Sequence, residues 1–258
     1  MKNNLVVCGD SFNYGLGCAD SLTQAYGVRV ANHFGWDLIR LARGSASNYS
    51  IYLQGIYAAD MEDTPALIIL GQTSFDRVEW LVEGTPWHIE HSLTNLNYHQ
   101  YPPHNNDEGR GLFHLNGDPT YNPFLLTEQI VGIDHCISLR KEKQHTDWYD
   151  RLATEPTEKL QLICNYYTTV FNYHVKRNYD ISMLFRAYSY IKRKGIECII
   201  LTPDVEEYSK YMDSSDLCFQ DWAELSKRFP EPSHHTTELG HADTADRIIQ
   251  HLKNAKSL

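Results

Sequence analysis

Cationic side chains are scarce: 23 lysines and arginines against 33 aspartates and glutamates leave the 258 residues with a formal charge of −10. Nucleic-acid phosphates and anionic lipid surfaces both demand an excess of Lys and Arg, so neither nucleic acid nor membrane is expected as a partner. Long apolar runs are missing too. Nothing approaches the roughly 20 apolar residues that span a bilayer. The apolar run at 5–8 is too short for a secretory leader and no small-residue cleavage site follows it, so a cytoplasmic location is expected. Cysteine is sparse and scattered, at 8, 18, 136, 164, 198 and 218, with no CxxC pair. Reduced, mostly buried thiols fit that spacing. In such a compartment the Asn48-Tyr49-Ser50 sequon is a chance match. Repeats, low-complexity tracts and a Walker-type Gly-Lys-Ser/Thr are also absent.

What is present is ordinary globular stock: 42% hydrophobic and 22% charged residues, enough for one core in one domain of this length. Short apolar runs bounded by turn residues read as strands at 5–8, 37–42, 66–70 and 197–201. Stretches of helical period follow or precede them at 24–34, 48–59, 158–176, 181–194 and 239–254. Nearly continuous apolar strands alternating with helices predict an α/β fold, a doubly wound parallel sheet covered on both faces. In that layout every loop after a strand opens on one edge, where such folds bind ligands. The stretch 78–158 breaks the rhythm, being rich in His, Tyr, Asn and Pro. It reads as an insertion after the third strand, with its own small packing, leaning over that edge.

Three segments carry candidate chemistry. Gly9-Asp10-Ser11 ends the first strand. A Ser on a tight turn entering a helix exposes its Oγ and frees its N–H, which suits a nucleophile and an oxyanion donor; the plainer alternative is a helix N-cap. Gly15-x-Gly17 lacks the third glycine of a dinucleotide fingerprint, with Asp20 in its place. Residues 232–241, Pro-Ser-His-His-Thr-Thr-Glu-Leu-Gly-His, lie before the last helix. A His on that loop reaches the same sheet edge as a general base; alternatively Thr236 or Thr237 caps the helix and the histidines are merely exposed.

Together these segments resemble the SGNH (GDSL-like) hydrolases, serine esterases and acylhydrolases. The resemblance rests on four ordered blocks: Val7-Cys8-Gly9-Asp10-Ser11, residues 42–48, Ile69-Leu70-Gly71-Gln72-Thr73-Ser74, and His235-Thr236-Thr237-Glu238-Leu239-Gly240-His241. It implies a flavodoxin-like three-layer αβα sandwich, with Ser11 as nucleophile, His235 as base, and the N–H groups of Ser11 and Gly44 with Thr73 as oxyanion hole. It implies no cofactor. The substrate it implies is a small acyl ester of a small molecule or carbohydrate, acetyl esters included.

Two places depart from the family pattern. Thr73 stands where an Asn usually donates to the oxyanion, with Ser74 beside it as a substitute. Pro232 stands where the Asp that orients the His usually lies, and Glu231 is the nearest carboxylate. Three arrangements follow: Glu231 or a distant carboxylate orients the ring, a backbone carbonyl does so in a Ser-His dyad, or activity is lost. The Gly240 spacing favours His235 as base, while the Glu231 spacing favours His234. Arg77 at the same edge either grips a substrate anion or pairs with Asp76 or Glu79. His88 and His91 have a helical metal spacing, but no third ligand is fixed and no metal is expected. Trp87, Tyr98, Tyr101, Tyr121, Trp148 and Tyr149 stack on sugar or form the insertion's core. Two rival readings are a non-catalytic binding or assembly protein on the same fold, and a metal-assisted hydrolase using the insertion histidines.

Overall fold

The computed structural model describes residues 3–42, 46–75, 77–81, 125–128, 169–231 and 235–256. In chain order these form β1 (Asn4–Cys8), α1 (Ser11–Tyr14), α2 (Ser21–Gln24), α3 (Tyr26–Phe34), β2 (Asp37–Arg40), α4 (Asn48–Ala59) and β3 (Leu67–Gly71). Next come β4 (Val78–Leu81), β5 (Leu125–Glu128), α5 (Tyr173–Arg193), β6 (Glu197–Thr202), α6 (Val205–Tyr208), β7 (Leu217–Phe219), α7 (Trp222–Arg228) and α8 (Glu238–Lys256).

Period-2 alternation in the strands sorts their side chains into two cores. Val6, Cys8, Ile68, Leu70, Cys198 and Ile200 meet Ile51 and Ala58 of α4 and Leu184, Ala187 and Ile191 of α5. Leu5, Val7, Leu67, Ile69, Ile199 and Leu201 meet Tyr26 and Val30 of α3, Trp222 and Leu225 of α7, and Ile248 and Leu252 of α8. Both faces are thus dry, which is why the strands carry no polar alternation. Each of these large side chains contributes roughly 1.5–3 kcal/mol by leaving water, so the sheet is held from both sides at once.

The five strands β2-β1-β3-β6-β7 are all parallel. Renumbered within the sheet, that order is 2-1-3-4-5, the flavodoxin-like winding, and the architecture is a three-layer αβα sandwich. The winding direction reverses between β1 and β3, so the carboxyl ends of these neighbours flank the ligand crevice of such sheets. A separate antiparallel pair, β4 with β5, runs in the register Val78↔Glu128 to Leu81↔Leu125. The other residues of the expected 78–158 insertion, with His88, His91 and the aromatics, lie outside the described residues. Among the described residues no helix is long and apolar enough to cross a membrane.

Element boundaries differ from the sequence expectations for local reasons. The strand expected to 42 leaves the ladder after Arg40, although the N–H groups of Leu41 and Ala42 still reach the Val7 carbonyl at 2.8 and 3.0 Å. The helix expected from 181 starts at Tyr173, because the Asn172 side chain caps it by accepting from Val175 N at 3.1 Å. That cap also stops any helix from running continuously from 158 to 176; residues 158–168 lie outside the described residues. The sequence reading missed α6, β7 and α7; β7 is only three residues long, too short to show a period.

Candidate active site

The chain leaves β1 through Gly9, whose N–H donates to Gln54 Oε1 at 2.7 Å and whose carbonyl accepts from Gln54 Nε2 at 3.4 Å. Asp10 follows in extended conformation and caps α1, accepting from Phe12 N at 3.0 Å and Asn13 N at 3.4 Å. That leaves Ser11, the first residue of the turn, with an N–H outside the cap's grasp. Asn13 is wedged between two strand ends. Its Nδ2 donates to Asp10 Oδ1 at 3.0 Å and to the Gly71 carbonyl at 3.5 Å, and its Oδ1 accepts from Tyr26 OH at 2.9 Å. A Cβ at Gly9 or Gly71 would overlap the Asn13 side chain. Glycine at both strand ends therefore makes room for one buried amide.

Asp10 is 2% exposed and gathers partners from two further loops. Thr73 Oγ1, after β3, donates to its Oδ2 at 2.7 Å, and an Arg77 guanidinium nitrogen lies 3.2 Å from the same oxygen. That nitrogen also donates to the Ala46 carbonyl at 2.8 Å. Asn48 holds Thr73 by its backbone, accepting from Thr73 N at 3.0 Å and donating to Thr73 O at 3.1 Å. The same Asn48 amide donates to Asp180 Oδ2 at 3.0 Å, and Asp180 is ion-paired with Lys176. The Asn48 side chain is fully buried, so in the folded protein it is out of reach of a glycosylating enzyme.

The segment before α8 arrives from the other end of the chain. Thr237 N donates to the Phe229 carbonyl at 3.2 Å, and Pro230 pairs with Thr236 in an antiparallel bridge. Glu231 directly follows Pro230 and His235 directly precedes Thr236 in that bridge. His235 packs on the Phe12 ring, centroids 4.7 Å apart, and its Nε2 lies 2.9 Å from Ser11 Oγ. Gly17 passes directly beneath in a left-handed conformation, φ +93°. A Cβ there would overlap the Thr236 carbonyl oxygen and lie 2.9 Å from His235 Cβ. Gly17 thus lets the histidine segment cross the nucleophile loop closely.

The structure brings Ser11 and His235 together, with Thr73 and Arg77 one residue away on Asp10. Thr73 differs from the expected oxyanion donor: its single hydroxyl proton points to the Asp10 carboxylate. Arg77 is not at an open edge: it is 7% exposed and bound to Asp10 and Ala46. Thr237 differs too, since its buried hydroxyl finds no hydrogen-bond partner and caps nothing. Gly44, His234, Pro232 and Asp76 lie outside the described residues. Sequence reasoning missed Asn13, Asn48, Gln54 and Asp180 as site supports. The available signal was the position of Asn13 and Asn48, each four residues after a glycine (Gly9, Gly44), where a polar residue entering a helix faces backbone in need of partners.

Among the described residues the thiols do not compete for the nucleophile's role: burial pushes Cys18 up to about 12 and Cys218 up to about 11, and holds Cys8 and Cys198 well above the usual thiol range. Behind the site His241 is fully buried, its ring stacked 6.2 Å from Tyr26 and tilted 5.7 Å from Trp222. Burial pushes its pKa down to about 4. Among the described residues no group of three or more His, Cys, Asp or Glu is arranged to hold a metal ion.

No protein-family model matches the chain, and no curated protein does. Solved structures similar to it include the following three. The first is a salicylyl-acyltransferase, SsfX3, from a tetracycline biosynthetic pathway, at 11% identity and a TM-score of 0.42 over 100% of this chain and 57% of that one. The second is a carbohydrate esterase family 2 enzyme with a carbohydrate-binding domain from Corynascus thermopiles (Myceliophthora fergusii), at 11% and 0.45 over 100% and 68%. The third is an acetyl xylan esterase, Est2A, from the rumen bacterium Butyrivibrio proteoclasticus, at 10% and 0.45 over 98% and 64%. The chain thus spans little more than half the length of the first of these proteins.

Proposed function

We propose that this chain is a serine hydrolase of the SGNH (GDSL-like) type that cleaves a small acyl ester of a small molecule or carbohydrate in two acyl-transfer steps. The observation that carries the reading is the 2.9 Å separation of Ser11 Oγ and His235 Nε2 at the carboxyl end of β1. At that distance a neutral imidazole with its proton on Nδ1 accepts the hydroxyl proton as Oγ attacks the ester carbonyl. The Ser11 N–H, left unclaimed by the Asp10 cap, supports the oxyanion, and the resemblance assigns the Gly44 N–H to the same duty. His235 then protonates the departing alcohol. Water, deprotonated by the same Nε2, releases the acyl group from Oγ. Glu231 is the orienting acid in this scheme; the Pro230–Thr236 bridge, which brings the segments carrying Glu231 and His235 side by side, supports the choice. No cofactor enters the scheme. The chain is read as one domain with an insertion at about 78–158, working in the cytoplasm.

A fluorophosphonate probe and p-nitrophenyl acetate test this directly. The folded protein takes up one equivalent of probe on Ser11 and turns over the ester; Ser11→Ala does neither. Equal turnover by both proteins, or no labelling of the folded wild type, overturns the reading. The second outcome leaves a binding or assembly protein on a hydrolase fold.

A further inference from the structure

We infer that Thr73 and Arg77 act on the reaction through Asp10, as positioning residues that lock the nucleophile turn, and that neither touches the ester. The inference rests on the serine-hydrolase reading above and concerns how Ser11 is held. Every polar group of Thr73 is spent: Oγ1 on Asp10 Oδ2 at 2.7 Å, N on Asn48 Oδ1 at 3.0 Å, and O on Asn48 Nδ2 at 3.1 Å. Nothing is left to donate to an oxyanion. Turning the hydroxyl away would strip a donor from a carboxylate that is 2% exposed, and buried carboxylates lose heavily when a partner leaves.

The two oxygens of Asp10 have separate duties. Oδ1 takes Phe12 N, Asn13 N and Asn13 Nδ2, which fixes the turn carrying Ser11. Oδ2 takes Thr73 Oγ1 and Arg77, which fixes that turn to the loop after β3. Arg77 extends the clamp to Ala46 O, in the loop after β2 that also carries Gly44. One buried carboxylate thereby ties three strand-end loops into a unit at the place where the winding of the sheet reverses. Because Asp10 adjoins Ser11, any slack at Oδ2 is passed to the Oγ–Nε2 alignment. Loss of alignment slows the chemical step without altering substrate contacts, so it lowers kcat and leaves KM.

A double-mutant cycle separates this role from direct oxyanion donation. Thr73→Val keeps the shape and deletes the hydroxyl. Asp10→Asn keeps an acceptor for the Phe12 and Asn13 N–H groups but presents an amide where Thr73 donates. In the wild-type background Thr73→Val lowers kcat and the rate of fluorophosphonate labelling by roughly 10- to 100-fold, with KM within about twofold. Thr73→Ser restores most of the rate. In the Asp10→Asn background Thr73→Val costs less than about threefold. The same cycle with Arg77→Lys gives the same coupling and stands in if Thr73→Val melts early. A cost for Thr73→Val that is undiminished in Asp10→Asn means direct contact with the oxyanion and overturns the positioning role alone. A folded wild type that neither turns over ester nor takes the probe overturns the hydrolase reading and this role with it.

Discussion

Ser11 Oγ and His235 Nε2 are separated by 224 residues of chain and by 2.9 Å of space. The alignment has support on each side: Asp10 and Gln54 hold the Ser11 turn, and Phe12 backs the imidazole. His235→Asn keeps a polar group of smaller reach and loses the base. It should fold like the wild type and lose roughly 10⁴- to 10⁶-fold in kcat for ester hydrolysis, and adding Ser11→Ala should cost little more, since the two act as a unit. A His235→Asn enzyme within tenfold of wild type would sink the assignment of the base.

Glu231 adjoins Pro230 and His235 adjoins Thr236, the two residues of one antiparallel bridge. Glu231→Gln should lower kcat by as much as about 10⁴-fold through loss of the correct tautomer and of support for the imidazolium, with KM little changed. Steady-state kinetics from pH 6 to 9 check this. A cost below about threefold across that range assigns the orientation of the ring to a backbone carbonyl instead.

Gly17→Ala places a methyl group where the Thr236 carbonyl and His235 Cβ already sit, on backbone at φ +93°. The strained conformation alone costs on the order of 1 kcal/mol. The larger effect should be on catalysis, because relief of the overlap pushes the histidine segment off Ser11. Expected is a Tm drop of roughly 2–4 °C together with a fall in kcat of roughly 10²-fold, the size that a misplacement near 1 Å produces. Unchanged kcat would show that the loop relaxes elsewhere.

His241 ties stability to acid. Its folded pKa, about 4, lies below its ordinary 6.5 because burial disfavours the imidazolium, with His235, Arg29 and Arg40 adding unfavourable charge. The unfolded chain therefore binds more protons between those two values, and stability falls as pH drops from 6.5 to 4. The shift corresponds to about 3 kcal/mol lost over that window. Denaturant melts of His241→Leu at pH 7 and pH 4 should show a pH-dependent loss smaller by about that amount. Parallel losses in both proteins would contradict the linkage.

Asn48→Asp tests the buried support behind Thr73. The substitution removes the amide that donates to Asp180 Oδ2 at 3.0 Å and sets a second carboxylate there. Lys176 already serves Asp180. The uncompensated charge should cost about 3 kcal/mol or more, a Tm loss of roughly 6–12 °C for a chain of this size. A calorimetric Tm within 2 °C of wild type would mean that the site is wetter than its burial indicates.

Some of this was readable along the chain because the interactions responsible are local. The runs at 5–8, 66–70 and 197–201 announced strands buried on both faces, and they occupy β1, β3 and β6 at the centre of the sheet. The turn at Gly9-Asp10-Ser11 is a cap closed within three residues, so sequence spacing alone describes it. Failures occurred where the partner was remote. Thr73 was expected to donate to an oxyanion and Arg77 to grip an anion or pair with Asp76 or Glu79, yet both meet Asp10, 63 residues from Thr73 and just past the end of the neighbouring strand β1. The helix at Tyr173 began early because of a single Asn cap that periodicity does not register.

By itself the amino-acid order determined which segments would be dry on both faces and which two residue types, Ser and His, would stand on the loops at one sheet edge. Periodicity and capping act over a few residues, so the chain carries that information locally. Tertiary structure alone decided which polar atom each buried donor would find. That choice depends on the register of parallel strands and on loops crossing at a glycine, and both arise only when distant segments share one desolvated core.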